Sequence, residues 1–231
     1  MIASYLKAVA QLPDPRMLRI VALALIATII LYVLVYLGAG WLLDHFLEHV
    51  DILGWHPLTI LGEWLGGVAT FLLSLMLFPS IATTMLSFLV ESVARAVEAA
   101  FYPGLGAVRK VGATEMTWLA LRFAFVMIVI NIIALPVYIP LAIFFGLGAV
   151  LYFAINGYLL GREYYEQVAY RRLEPRQADA LRHAHSVRIW LNGIILAFLS
   201  TIPIVNLFAP VIGTAAMVHE FEALRRRINP V

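Results

Sequence analysis

Four uncharged runs, Ile20–Leu43, Trp64–Val90, Phe123–Gly161 and Ile189–Val218, alternate with polar segments along the chain. A straight spanning helix needs roughly 20 apolar residues, so the first run predicts one crossing. The second predicts a return, with Gly66, Gly67 and Phe78-Pro79-Ser80 as kink positions. The third and fourth carry central breaks, at Pro136-Val137-Tyr138-Ile139-Pro140 and at Pro203-Ile204-Val205-Asn206 followed by Pro210. Proline removes a helical donor and disfavours helix in the residue before it, so each run predicts two short helices joined by a turn. Two full crossings need about 40 apolar residues plus a turn. The fourth run is too short for that, while the third also admits a tight pair of full spans with a two-residue outer turn. At the start of the chain, Ile2, Tyr5, Leu6, Val9 and Leu12 recur at helical spacing, which predicts an interfacial helix.

Charge then assigns sides. Asp44 to Glu63 contains Asp44, Glu48, Asp51 and Glu63 but none of the 16 Lys and Arg residues. Short loops rich in Lys and Arg stay cytoplasmic, so segments 1–19, 91–122, 162–188 and 219–231 read as inside and 44–63 as outside. Both termini are then cytoplasmic, and the third and fourth runs enter and leave on the same face as re-entrant hairpins. The expected fold is an all-α integral membrane protein with two long transmembrane helices, two half-penetrating hairpins and an N-terminal interfacial helix, in a single membrane domain. Segment 64–102 continues past the membrane as an amphipathic extension, with Glu91, Arg95 and Glu98 on one face and Leu89, Val93, Ala96, Val97 and Ala100 on the other. Trp41, Trp55 and Trp64 flank the outer loop, and Trp118 and Trp190 the inner boundary.

Composition narrows the chemistry. With 63% hydrophobic and 13% charged residues and a mean hydropathy of +0.92, the chain lies far from the globular average of about 25% charged. The first run is too long for a cleaved leader, although Gly38-Ala39-Gly40 resembles a cleavage site. The absence of cysteine excludes disulfides, thiolate metal sites and a cysteine nucleophile. A net charge of +2 placed in loops beside the bilayer reads as orientation and contact with anionic lipid, and no nucleic-acid partner is expected. No phosphate-binding glycine loop or nucleophile elbow is present, so neither cofactor nor catalytic set is expected. His45 and His49 have metal-ligand spacing but lack the His-Glu-x-x-His pattern, and His183 and His185 alternate, so no metal site is assigned.

Polar groups inside apolar runs are candidates by default: Asn131, Asn156, Asn192 and Asn206, with Ser74, Ser80 and Ser200 weaker. Asn131 and Asn206 sit near the hairpin breaks, where an amide would line a polar path or, equally, cap a broken helix. Glu163 and Glu166, beside Tyr164 and Tyr165, would gate a pore or carry protons, or would form a solvated helix end paired to Arg162 or Arg171. Gly157 and Gly161 form a small-xxx-small pair suited to close helix packing. Arg225-Arg226-Arg227 suits lipid headgroups.

The segment Leu12-Pro13-Asp14-Pro15-Arg16-Met17-Leu18-Arg19, the stretch from Asn156 to Tyr165 and the run Ile202–Pro210 resemble the CysZ family of sulfate permeases, within the etoposide-induced-protein-like superfamily. The resemblance spans nearly the whole chain. It implies two long helices plus two half-penetrating hairpins, an oligomer, and inward passage of sulfate across the bacterial inner membrane for cysteine synthesis. The family's Gly-Leu-Arg motif, associated with sulfate binding, falls on Met17-Leu18-Arg19, so Leu18 and Arg19 carry over and the glycine role does not. Independently, Arg16 and Arg19 lie at i, i+3 where a helix N-terminus favours an anion, and guanidinium forks suit tetrahedral oxyanions. The same pair also suits phosphate headgroups at the membrane surface.

The leading expectation is an inner-membrane sulfate permease working as a homo-oligomer in the lipid bilayer, with sulfate or a related oxyanion as its partner. From a different class, a membrane scaffold or partner-docking protein would use the same hairpins to wedge a leaflet. An intramembrane enzyme would have only Glu163 and Glu166 to work with.

Overall fold

The structure, a computed structural model, describes residues 2–48, 67–68, 88–143 and 147–228. All regular structure among them is helical: α1 (Ile2–Gln11), α2 (Pro15–Glu48), α3 (88–101), α4 (Ala113–Ile143), α5 (Leu147–Ala169), α6 (Pro175–Ala184), α7 (Ser186–Ser200) and α8 (Pro203–Ile228). The chain divides into two compact units, Leu18–Glu91, and Met1–Met17 with Ser92–Val231.

Asp14 starts α2 as a helix cap. Its carboxylate accepts the Arg16 backbone N–H at 2.8 Å, and Pro15 presets the first turn. The helix then continues past Leu43 to Glu48, into the segment read as an external loop. The rest of that loop, most of Trp64–Val90, and with them Ser74 and Ser80, lie outside the described residues. Two described helical stretches are long and apolar enough to cross a membrane, Pro15–Gly38 and Ala113–Val137.

The second of these corrects the expected break at the proline pair. Pro136 and Pro140 lie inside α4, and residues 144–146, which precede α5, lie outside the described residues. Two prolines four residues apart remove two helical donors on one face, and the helix runs through both. The first arm of the third run is therefore longer than its proline pair predicts. In the fourth run the break falls at Thr201-Ile202, directly before Pro203, which opens α8, while Pro210 stays inside that helix. A helix, α6, also forms within the basic segment 162–188, where Glu174 and Gln177 make a capping box around Pro175.

The larger unit is built around α8. Val211, Ala215, Val218, Phe221 and Leu224 are buried, and so are Thr214, His219, Glu220 and Glu222. A helix buried all round requires its polar groups to be paired, and the neighbours supply the partners: α1, α5 and α7 all pack on α8. The tightest crossing is α5 on α7. A Cβ on Gly193 would land on the Gly157 carbonyl oxygen, and one on Gly161 would land on that of Ile189. The Gly157/Gly161 pair is thus completed by a third glycine on the facing helix, and the Trp190 indole N–H donates to the Ala154 carbonyl at 2.8 Å across the same contact.

On α1 the expected apolar face is split. Ile2, Leu6 and Val9 are exposed, whereas Ser4 and Ala8 are buried. Tyr5 leaves the apolar stripe: its hydroxyl donates to the Asn192 carbonyl at 2.6 Å.

Candidate anion path and polar layer

The N-terminal turn of α2 carries Arg16 and Arg19, both exposed, one turn apart on one helix. Leu18 between them is 49% exposed, whereas Met17, standing where the family motif has glycine, is 5% exposed. The Asp14 carboxylate already takes the Arg16 N–H, so an anion here would be held chiefly by the two guanidinium forks.

Three of the amides in the apolar runs bond back onto their own helices, although the Asn192 Oδ1 is buried without a partner among the described residues. Asn131, Asn156 and Asn192 each donate Nδ2 to the carbonyl four residues back, at 2.8 Å to Met127, 3.0 Å to Tyr152 and 2.8 Å to Arg188. Ser200 and Thr214 do the same with Leu196 and Pro210. Back-bonding of this kind gives each side chain a partner for one donor within its own helix. Because Pro136 and Pro140 lie inside α4 rather than ending it, Asn131 stands in the middle of that helix. Asn206 stands in the first turn of α8, exposed, with its backbone N–H on the Ile202 carbonyl at 2.7 Å.

Glu163 and Glu166 have separate surroundings. Glu166 is buried, accepts from Arg162 Nε at 2.7 Å and lies 3.8 Å from Arg182 Nε. The pairing to Arg162 matches expectation; the solvated setting does not, because α6 covers this end of α5 and Tyr165 ties the two by donating to the Ala178 carbonyl at 3.0 Å. Glu163 has Gln167 as hydrogen-bond partner at 3.3 Å. Burial, reinforced by the neighbouring Glu166 charge, holds its carboxyl above the usual carboxylate range against that weak bond.

A set of groups, of which helical spacing had singled out only Glu98, ties the four basic segments together. Ser4 donates to Glu220 at 2.9 Å and Arg188 also pairs with Glu220, which joins segment 1–19 and segment 162–188 to segment 219–231. The Arg188 and Ser4 hydrogen bonds outweigh the opposing effect of burial and hold the Glu220 carboxyl below its usual range. His219 bridges Gln11 Nε2 and Tyr102 Oη, each at 2.8 Å, adding segment 91–122. Glu98 meets Arg171 at 2.9 Å and Arg172 at 2.6 Å, Arg122 meets Asp179 at 2.8 Å, and the Arg109 backbone N–H donates to the Arg171 carbonyl at 2.9 Å. Apart from the helical spacing of Glu98, the sequence signal for this layer was the clustering of basic residues in segments of one assigned side.

Regular structure that is helical throughout the described residues, two helices among them able to cross a membrane, and a polar layer gathering the basic segments are the make-up of an integral membrane protein. The family model described as sulfate transporter CysZ/etoposide-induced protein 2.4 matches residues 4–210, and the chain belongs to that family. No curated protein and no solved structure matches it.

Proposed function

We propose that this protein is an inner-membrane permease passing sulfate, or a closely related oxyanion, into the cell for cysteine synthesis. The observation that carries the reading is the joining of all four basic segments into one hydrogen-bonded layer, in a member of a sulfate-transporter family. Segments bonded to one another lie on one side of the bilayer, and the basic side is the cytoplasmic one. Arg16 and Arg19 then attract and select the dianion at the mouth of the first span. Asn131, Asn206, Glu163 and Glu166 are the path-lining candidates.

The fourth run supports re-entry. At 1.5 Å per residue the 15 residues of α7 reach about 22 Å and Pro203–Val218 about 24 Å, short of the roughly 30 Å hydrocarbon core. Backbone turning at that depth needs protein or water around it. A single chain with few full spans encloses little by itself, so the path is shared between subunits of a homo-oligomer.

Radiolabelled sulfate uptake into liposomes holding the purified protein tests this, with selenate and chloride as competitors. Sulfate-selective flux should fall about tenfold or more in Arg19→Ala, the loss of one charge-assisted anion contact, with assembly unchanged. Wild-type protein that is folded and oligomeric yet passes no sulfate above empty liposomes would leave the scaffold reading as the better one.

A further inference from the structure

Beside the junction of α1 and α8 is a cavity of about 470 Å³ whose polar lining is Ser4, Lys7, Tyr102, Arg188, His219 and Arg226. Its charge is one-sided. Of the two carboxylates behind it, Glu220 is paired with Arg188 and Glu222 with Arg225 at 2.9 Å. Lys7 and Arg226 have no carboxylate partner among the described residues, and the Arg226 guanidinium lies over the Tyr102 ring at 5.2 Å. The Ser4 hydroxyl is committed to Glu220, and His219 and Tyr102 to each other. The unspent capacity is therefore cationic, an ammonium and a guanidinium fork, which is the donor set for a tetrahedral oxyanion.

Size and setting narrow the ligand. The volume falls in the range of small-molecule sites, well above a bare oxyanion, so the anion would arrive attached to something larger. Next to Lys7 on α1 runs the exposed stripe Ile2, Leu6 and Val9, apolar surface of the kind an interfacial helix lays against acyl chains. Neither Arg16 nor Arg19 lines the cavity, so it is separate from the anion site proposed for transport.

We propose that this cavity binds a phosphate group, carried on an anionic phospholipid headgroup or on a soluble phosphate compound, with Lys7 and Arg226 as its cationic contacts. The apolar stripe favours the lipid as the source. The test uses the full-length protein purified in detergent. Phosphatidylglycerol, with phosphatidylcholine as the neutral control, is titrated by native mass spectrometry, and inorganic phosphate by calorimetry. Phosphatidylglycerol should bind in preference to phosphatidylcholine, and each cation removed should weaken it roughly fivefold, so that Lys7→Ala with Arg226→Ala loses about 25-fold. Lys7→Arg should bind as wild type, and so should Lys110→Ala, an exposed cation outside the cavity. Inorganic phosphate that binds with the same dependence on Lys7 and Arg226 and displaces the lipid would identify a soluble source; lipid binding without phosphate binding would identify the headgroup. Both mutated side chains are exposed, and an unchanged melting temperature in the double variant checks the fold. The proposal is overturned if wild type binds neither probe, or if the folded double variant binds both as tightly as wild type.

Discussion

Glu98 is the residue on which two basic segments converge. It is 6% exposed, and the guanidinium groups of Arg171 and Arg172 both reach it. Breaking a buried ion pair by removing one partner costs about 3–5 kcal/mol, since the other charge stays buried. Glu98→Ala should therefore lower the melting temperature sharply, and Glu98→Asp by less, in a thermal-unfolding measurement. His219 makes a different dependence. Burial, with the nearby Lys7 charge adding to it, lowers its pKa to about 4 from about 6.5 in the unfolded chain. The unfolded state thus binds a proton first as pH falls, so the stability from the neutral imidazole is complete above about pH 6.5 and is lost progressively towards pH 4. Melting temperature should decline over that window, and His219→Gln should flatten the decline. Neither role was legible locally. Helical spacing set Glu98 on a wet face with Glu91 and Arg95, and its partners lie more than 70 residues away.

At the scale of elements, the crossing of α5 and α7 depends on the absence of side chains at Gly157, Gly161 and Gly193. Gly→Ala inside a helix ordinarily gains up to about 1 kcal/mol of propensity. At Gly193 the added methyl meets a backbone oxygen that a rotamer change cannot move, and overpacking of this kind costs roughly 1–3 kcal/mol. Gly193→Ala should lower the melting temperature, while Gly104→Ala, whose Cβ would meet nothing within 4 Å, should not. The small-xxx-small spacing on α5 announced a close contact; the facing helix and its third glycine were not announced. Element boundaries show the same division. Pro203 marked the break in the fourth run, because a proline is at home in the first turn of a helix. Pro136 and Pro140 did not end α4, because the long apolar helix that precedes them carries the chain through the local loss of backbone donors.

For the whole molecule, topology is the testable quantity, and a chain without cysteine makes the test clean. Single substitutions Lys110→Cys, Arg176→Cys and Arg226→Cys should all react with a membrane-impermeant maleimide in inverted vesicles and not in intact spheroplasts. Thr201→Cys, at the turn between α7 and α8, should be shielded from the reagent on both sides if the fourth run is re-entrant. Labelling of that residue in spheroplasts would mean the pair crosses fully. Any of the three basic positions reacting from outside would break the assignment of sides and with it the placement of Arg16 and Arg19 at an inner mouth.

The helical class, the division into apolar runs and basic segments, and a break near Pro203 in the fourth run follow from the sequence by itself, because each depends on residues within a few positions of one another; the start of the first long helix at Pro15 rather than Ile20, and the continuation of α8 through Pro210, appear only in the structure. The family too was legible in short motifs spread over the chain. Tertiary structure alone decided which polar residues are buried and with whom: Ser4 and Arg188 with Glu220, Gln11 and Tyr102 with His219, Glu98 with Arg171 and Arg172. A charge on a helix looks solvated until another segment covers it, and whether one does depends on packing between residues far apart in the chain.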